Sequence, residues 1–316
     1  MQNVIEVKNL VKRYKKAKEN SVDDISFEVK EGEFFTLLGP NGAGKTTTIS
    51  ILNTTLSKTS GSVKVDGLEI DQYADQVRKK IGVIFQNQSL DMNLTAEENV
   101  RFHTVLYGLY PYRPLFSMMP KGYQNKVEEL AEILGIGKEI HSPIKTFSGG
   151  MKRKLEIVRG LIHKPKILFL DEPTTGLDPL SRKNLWKYLA EVRKTDNLTL
   201  FLTTHYLEEA ESADRICIVD KGKVIAIGTP NQIKKSLVDE YLEVETADKD
   251  GLRLELAQKK LSFEENGTFK IKLKNEQIQE VLGKLKTKIK HIKLHAPSLE
   301  EAYLEIINSQ ENNENN

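Results

Sequence analysis

The glycine-rich segment at residues 39–47 constrains this chain more than any other part of its sequence. It reads Gly39-Pro40-Asn41-Gly42-Ala43-Gly44-Lys45-Thr46-Thr47 and fits the spacing G-x-x-x-x-G-K-[ST] of a phosphate-binding loop. Its glycines allow successive backbone N–H groups to turn towards a phosphate, and a helix after the loop adds its positive N-terminal end. In such a loop the lysine reaches the β- and γ-phosphates, and the next hydroxyl holds Mg²⁺.

The flanks of this segment favour a phosphate loop over a simple glycine-rich turn. The apolar run at 34–38 predicts a buried strand before the loop, and residues 47–56 predict a helix after it. We therefore expect a nucleotide to bind here, with Lys45 on its phosphates and Thr46 on Mg²⁺.

Length and composition indicate a soluble globular protein. The chain has 316 residues, enough for two domains, with 39% hydrophobic and 29% charged residues and a net charge of +2. Such a small net charge produces no overall field that would attract nucleic acid or a membrane. The single cysteine, Cys217, lies in an apolar run, which favours a core residue of a reduced, cytosolic protein. The apolar runs are too short to span a bilayer, and residues 1–11 lack a signal-peptide pattern, so a separate partner would have to span any membrane involved.

Strand and helix patterns along residues 1–235 predict an α/β nucleotide-binding domain. Its helical part, at about 88–165, interrupts the core, and it contains predicted helices at 94–107, 125–134 and 151–163. Residues 107–123 include four tyrosines and three prolines. For this segment we favour a self-packed loop over an apolar surface for a membrane partner.

Two adjacent carboxylates end the apolar run at 167–173, which predicts a buried strand. Open α/β sheets place their ligand sites at the carboxyl ends of strands. Asp171 is expected to hold Mg²⁺ through water, and Glu172 to orient and activate an attacking water. A pair of solvated acids is the alternative, and the phosphate loop upstream disfavours it.

A second anion site is predicted where Ser148, Gly149 and Gly150 open a helix that starts near Met151. Ser-Gly-Gly is common in loops, so the prediction depends on the position of the segment, 23 residues before Asp171. Tyr14 lies in the basic segment 8–18 and is either an exposed loop residue or a ring that stacks on adenine.

Taken in order, these segments resemble the ATP-binding cassette ATPases over about residues 4–235. The resemblance rests on the motifs at 39–46, Gln86, 148–151, Asp171-Glu172, 176–178 and His205. Two positions depart from the usual pattern, since Phe147 stands where leucine is usual and Met151 where glutamine is usual. The second departure is common in cassettes similar to this one.

The resemblance implies a P-loop NTPase, RecA-like core with an antiparallel β subdomain and the inserted helical subdomain. Two such domains face head to tail and enclose two ATP molecules, each between the phosphate loop of one protomer and residues 148–150 of the other. Tyr14 would stack on adenine, Gln86 would link Mg²⁺ and the attacking water to the partner, and His205 would sense the γ-phosphate. The implied nucleotide-binding residues are Tyr14, Gly39, Pro40, Asn41, Gly42, Ala43, Gly44, Lys45, Thr46, Thr47, Ser148, Gly149, Gly150 and Asp178, the last in a loop that crosses the dimer. The implied metal ligands are Thr46, Gln86 and Asp171, and the implied catalytic residues are Lys45, Gln86, Glu172 and His205.

The last quarter of the chain predicts an accessory domain at 236–308. Its pattern β-α-β-β-α-β, with a hairpin signal at Asn266-Gly267, is typical of a small ferredoxin-like α+β domain. Together with the closing segment 297–304, it resembles cassettes of the daunorubicin-resistance type, whose membrane subunit is a separate chain. The lysines of this region favour a solvated face over a lipid or nucleic-acid surface. Residues 309–316 are rich in Asn and Glu and are expected to be disordered.

The predicted function is that of an ATP-hydrolysing motor of an exporter, which homodimerises on ATP and docks through residues 86–100 and the following helices on a membrane permease. It would lie on the cytoplasmic face of the cell membrane, without direct contact with nucleic acid. The alternative is a soluble cassette ATPase that acts on ribosomes or DNA. Translation-factor cassettes usually carry two motif sets, and chromosome cassettes insert long coiled coils. Here there is one motif set, and the 126 residues from Lys45 to Asp171 show no sustained heptads.

Overall fold

The computed structural model describes residues 2–85, 89–237, 241–259, 261–273, 278–295 and 298–304. It divides into two compact units, Met1–Ile227 and Gly228–Asn316, so the boundary lies slightly before the expected one at 235. Within the described residues, no helix has the length and apolar character needed to cross a membrane.

The first unit alternates strands and helices, interrupted by a helical block. In chain order its elements are β1 (Asn3–Lys12), β2 (Val22–Lys30), β3 (Phe34–Leu38), α1 (Lys45–Leu52), β4 (Ser60–Val65), β5 (Leu68–Glu69), α2 (Ala74–Lys80), β6 (Ile81–Ile84), α3 (Ala96–Leu106), α4 (Lys121–Ile133), α5 (Gly149–Leu161), β7 (Ile167–Asp171), α6 (Pro179–Asp196), β8 (Thr199–Thr204), α7 (Leu207–Glu211), β9 (Arg215–Asp220) and β10 (Lys223–Gly228).

A six-stranded sheet forms the centre of this unit, in the order β10-β9-β3-β8-β7-β6 among the described strands. Strand β3 pairs in parallel with β8 and β9, and β7 pairs in parallel with β6 and β8. Strands β3, β7 and β8 are buried along their whole length, as parallel strands covered on both faces are expected to be. Because parallel strands end at the same edge, the segments that follow β3, β6, β7 and β8 all start at one edge of the sheet.

The second sheet of this unit is antiparallel, in the order β2-β1-β4-β5, and shares a hydrophobic core with the first. Aromatic rings connect the two sheets. Phe27 of β2 stacks on Phe35 of β3 with ring centroids 5.3 Å apart, and Phe35 lies 5.5 Å from Phe201 of β8. The predicted RecA-like core with an antiparallel β subdomain is therefore confirmed.

The helical block contains the three predicted helices, and their starts differ from the prediction for local reasons. Helix α3 begins after Thr95, which forms a capping box with Glu98. Helix α5 begins two residues earlier than expected, because the Ser148 hydroxyl accepts a hydrogen bond from the Met151 N–H and so caps the helix. Helix α4 begins at Lys121 rather than 125. The sequence pattern missed this first turn because it contains Gly122, and glycine has a low helix propensity.

The segment at 107–123 is partly self-packed. Tyr123 is fully buried, and its ring contacts Tyr110 and Phe116 edge-on. Other large apolar side chains of this segment stay exposed, including Tyr112, Leu115 and Met118 at 52–56%.

The second unit has the predicted ferredoxin-like order. After α8 (Pro230–Leu237) it contains β11 (Tyr241–Thr246), α9 (Lys249–Gln258), β12 (Phe263–Asn266), β13 (Thr268–Lys272), α10 (Ile278–Lys284) and β14 (Ile289–His295). Its antiparallel sheet has the order β12-β13-β11-β14, and its core is built around Leu242, Val244 and Phe269. The predicted hairpin turns at Gly267, whose φ of +79° suits glycine. The expected disordered tail, 309–316, lies outside the described residues.

Candidate functional site

The phosphate loop connects β3 to α1, as the sequence predicts. Gly42 and Gly44 have φ of +86° and +95°, a region that favours glycine. Gly39 and Gly44 also lack room for a side chain. A Cβ atom at Gly39 would lie 2.2 Å from the Val219 carbonyl oxygen, and one at Gly44 would lie 2.4 Å from the Ser21 carbonyl oxygen. The glycines therefore shape the loop that the motif requires.

Lys45 is buried at the base of this loop. Its side chain folds back, and Nζ donates hydrogen bonds to the carbonyl oxygens of Gly39 at 2.7 Å and Pro40 at 2.9 Å. Burial lowers the pKa of Lys45, while the carboxylates of Glu172 and Asp171 act in the opposite direction. The same cation thus stabilises the loop and faces both carboxylates.

A pocket of about 450 Å³ opens above the loop. Its described lining consists of Ser21, Asn41, Gly42, Gly44, Lys45, Thr46, Thr47 and Glu172. The volume is within the usual range for small-molecule sites. Its lining combines the glycine-rich loop, hydroxyls and one ammonium group, which suit a polyphosphate, with one carboxylate, that of Glu172.

Asp171 ends β7 and is 4% exposed. Its Oδ1 accepts a short hydrogen bond from the Thr203 hydroxyl of the neighbouring strand. Burial raises the pKa of Asp171, and the Glu172 carboxylate raises it further. The hydroxyls of Thr203 and Thr46 and the Lys45 ammonium act against this rise. The Thr46 hydroxyl therefore lies close enough to the Asp171 carboxyl to lower its pKa.

Glu172 and His205 are brought together across the sheet edge. Nδ1 of His205 lies 3.0 Å from Oε1 of Glu172, although 33 residues separate them in the chain. Glu172 has a left-handed backbone with φ of +47°, which is strained for a residue with a side chain. Its N–H donates to the Thr203 carbonyl oxygen at 3.0 Å. This geometry turns the carboxylate towards the pocket, where Glu172 is one of the lining residues.

Tyr14 lies beside the loop with an exposed ring. Its hydroxyl is 3.4 Å from the Thr47 hydroxyl, and the Lys12 ammonium lies 5.4 Å from the ring centroid. The ring is 45% exposed, so one face remains available for a flat ligand.

The remaining predicted residues are not gathered around this pocket. Ser148 and Asp178 cap the starts of α5 and α6 and are exposed, and neither is among the described residues that line the pocket. Asp178 accepts a hydrogen bond from the Ser181 N–H at 3.0 Å, and the Ser181 hydroxyl donates to it as well. These bonds hold the pKa of Asp178 below its usual value. Gln86 lies outside the described residues.

Sequence reasoning missed two buried groups that hold the site together. Arg153 of α5 donates to the backbone around Glu172, and no motif used above includes it. Glu209 of α7 is 5% exposed, and it accepts hydrogen bonds from the hydroxyls of Thr174 and Thr204. Thr174 lies two residues after Glu172 and Thr204 directly precedes His205, so Glu209 connects the loops that carry Glu172 and His205. In the sequence, Glu209 is an ordinary acid four residues after His205, and nothing there shows that it is buried.

Replacing Glu209 with alanine is expected to weaken both the fold and the site. Thr174 and Thr204 are fully buried, and each would lose its acceptor, at a cost of about 1–3 kcal/mol of unfolding free energy. Denaturant unfolding and steady-state ATPase assays measure the two effects. Glu208→Ala, at an exposed neighbour, is the matched control and should stay within about 0.5 kcal/mol. Equal stability of the two variants would contradict the role given to Glu209.

Comparison with known proteins matches both units of the chain to protein families. A profile of the ABC transporter family matches residues 22–175, and a profile of the C-terminal domain of DrrA1-3-like ATP-binding proteins matches residues 228–307. The linearmycin resistance ATP-binding protein of Bacillus subtilis is 39% identical over 231 residues, which are 73% of this chain and 70% of that protein. The Nod factor export ATP-binding protein I of Ralstonia nicotianae is 36% identical over 256 residues, covering 80% and 76%.

A solved structure has the same architecture as the first unit. It is a dimeric ATP-binding cassette in a post-hydrolysis state, bound to ADP and Pi. It is 27% identical with a TM-score of 0.64, and the match covers 71% of this chain and 98% of that one. The predicted resemblances to ATP-binding cassettes and to the daunorubicin-resistance type are therefore confirmed. This chain belongs to the ABC transporter family, as an ATP-binding, ATP-hydrolysing subunit with a DrrA1-3-like C-terminal domain.

Proposed function

We propose that the chain is the ATP-hydrolysing motor of an exporter and works as one of two identical protomers on a separate membrane permease. The observation that carries this proposal is the division of the site. Lys45, Thr46 and Glu172 surround the described pocket, while Ser148 and Asp178 are exposed at the starts of two other helices. A second copy that meets the pocket head to tail would bring these two residues to the nucleotide. The similar cassette that was solved as a dimer with ADP and Pi supports the proposal of two protomers.

Within each pocket, the residues act mainly by position and charge, as phosphoryl transfer requires. The amides of the loop and Lys45 hold the phosphates. Glu172 orients the attacking water and accepts its proton, and His205 holds the Glu172 carboxylate in place from 3.0 Å. Tyr14 stacks on adenine, and Gln86 links the attacking water to the partner protomer. In the partner, the Ser148 hydroxyl and the start of α5 face the γ-phosphate.

The donor atoms at the sheet edge fit Mg²⁺. The Thr46 hydroxyl and the Asp171 carboxylate are hard oxygen ligands, and they are neighbours, since the hydroxyl lowers the pKa of Asp171. Because burial and the Glu172 carboxylate both raise the pKa of Asp171, a divalent cation that stabilises its carboxylate form complements this position. Thr46 and Asp171 would hold the ion, Gln86 is proposed as a further ligand from the family resemblance, and the ion would neutralise phosphate charge.

The permease is proposed to dock on the helical block, around residues 86–100 and the helices that follow. Large apolar side chains are exposed there, and Met92, Phe102 and Leu106 are 38–84% exposed. Exposed apolar surface of this kind is typical of a protein interface. The relative from Ralstonia is an export protein by its name, which supports export as the direction. A docked subunit would lie at the cytoplasmic face of the membrane.

Affinity purification from the native cell tests this function. The chain would be tagged, carry Glu172→Gln, and be extracted with ATP in a mild detergent. We expect a polytopic membrane protein to co-purify in stoichiometric amount, because ATP-bound dimers should stay engaged with the permease. Lys45→Ala, prepared in the same way, is the control and should recover less of it. Ribosomal particles or DNA without a membrane chain would overturn the exporter and favour a soluble ATPase.

A further inference from the structure

One arginine contacts the backbone at the ends of two neighbouring strands, β6 and β7. Arg153 lies in α5, five residues after Ser148, and is 3% exposed. Its guanidinium donates hydrogen bonds to the carbonyl oxygens of three consecutive residues: Asp171 at 3.1 Å, Glu172 at 2.9 Å and Pro173 at 2.9 Å. Nη1 also donates to the carbonyl oxygen of Phe85, the residue that follows β6 and directly precedes Gln86.

Arg153 is held in this position by a buried counter-ion. Oε2 of Glu156, one helical turn along α5, lies 3.1 Å from Nη1 of Arg153, and its side chain is 1% exposed. A buried charge is tolerated only when it is paired and hydrogen-bonded, and here every recorded partner of Arg153 is a carbonyl or a carboxylate oxygen. The planar, five-donor fork of arginine suits such a set of acceptors, and a lysine ammonium does not.

The backbone that Arg153 holds is the strained one. Glu172 has φ of +47°, a conformation that costs about 1–3 kcal/mol for a residue with a side chain and persists only where its surroundings enforce it. The carbonyl groups of Glu172 and of both its neighbours accept hydrogen bonds from the Arg153 guanidinium. Arg153 therefore maintains the geometry that directs the Glu172 carboxylate into the pocket.

The same helix holds the far side of the Gln86 segment. Glu156 accepts a hydrogen bond from the Ser89 N–H at 2.8 Å, and Arg159 donates to the Ser89 carbonyl oxygen at 2.8 Å. Phe85 and Ser89 are the described residues on either side of 86–88, so α5 holds both ends of that segment. Helix α5 is capped by Ser148, which faces the partner's nucleotide in the proposed dimer.

The geometry points to Arg153 as a positioning residue that links the seating of Ser148 on the partner's nucleotide to the alignment of Glu172 in its own pocket. This inference rests on the proposed function, because it takes Glu172 as the base and 148–150 as the segment that meets the partner's ATP. Helix α5 is a rigid element with Ser148 at its start and Arg153 little more than one turn later. A shift of its first turn is therefore passed directly to the Glu172 backbone.

The test is Arg153→Lys, assayed for turnover, ATP binding and dimer formation. We expect kcat to fall about 100-fold, since small misplacements of a catalytic group have effects of this size. ATP affinity should stay within about twofold, because the loop and Lys45 are untouched. An ATP-bound dimer should accumulate on size exclusion even with Glu172 intact, because slow hydrolysis fails to release it. A merely structural role would not produce this dimer.

Two further variants keep the test decisive. Arg153→Gln with Glu156→Gln removes both charges of the buried pair together. Arg159, whose Nη2 lies 3.8 Å from Glu156 Oε1, keeps its hydrogen bond to the Ser89 carbonyl oxygen, and the double variant should reproduce the loss of kcat in a folded protein. Lys152→Gln removes one positive charge from the neighbouring position and should keep kcat within about twofold. Wild-type kcat in either Arg153 variant, or a parallel loss of ATP affinity and dimer in both, would overturn the inference. Glu172→Gln is assayed alongside, and turnover in that variant would instead count against the proposed base.

Discussion

Glu172→Gln is expected to bind ATP with wild-type affinity and to hydrolyse it about 1000-fold more slowly, a loss within the range that general base catalysis contributes. The amide has the shape of the carboxylate and can still accept a hydrogen bond from His205, so the pocket should keep its geometry. It cannot accept the proton of the attacking water. Steady-state phosphate release measures kcat, and a fluorescent ATP analogue measures affinity.

The same variant should form a stable dimer in the presence of ATP. If ATP holds two protomers together and hydrolysis separates them, a protein that cannot complete hydrolysis remains in the closed state. Analytical ultracentrifugation with ATP and with ADP separates the two states. Glu208→Gln, at an exposed neighbour of the His205 loop, is the matched control and should remain active. A wild-type kcat in Glu172→Gln would contradict the assignment of Glu172 as the base.

Lys45→Ala is expected to lower ATP affinity by about 10- to 100-fold, the range that follows from losing one charged hydrogen-bond donor to a phosphate. The buried ammonium donates hydrogen bonds to the loop carbonyl oxygens of Gly39 and Pro40, at 2.7 and 2.9 Å. It also faces Asp171 and Glu172, so its removal leaves two carboxylates beside an incoming polyphosphate. Turnover should be lost together with binding.

Isothermal titration with ATP measures this loss, and circular dichroism checks that the variant is folded. Lys64→Ala removes a half-exposed lysine that lies 3.9 Å from Glu69 on the antiparallel sheet, and its affinity should equal that of the wild type. Undiminished ATP binding by Lys45→Ala would contradict the phosphate-loop interpretation of residues 39–47.

Much of the fold could be predicted from the sequence because local chemistry specifies it. The glycines of 39–44 predict a loop that only glycine can form, and the φ values of Gly42 and Gly44 confirm it. Asn266-Gly267 predicts a hairpin, and Thr95 with Glu98 predicts a helix start, and both are present. Apolar runs that end in polar residues likewise predict strands that deliver Lys45, Asp171 and His205 to one edge.

Only the tertiary structure decided how these residues meet. His205 and Glu172 are 33 positions apart, and their 3.0 Å contact depends on the pairing of β7 with β8. The left-handed backbone of Glu172 has no sequence signal, because a glutamate rarely adopts it unless its surroundings enforce it. Arg153 and Glu209 escaped prediction for a related reason. Arg153 donates to backbone carbonyl groups, and Glu209 accepts from common threonine hydroxyls. Such partners leave no mark in a sequence until folding brings them together.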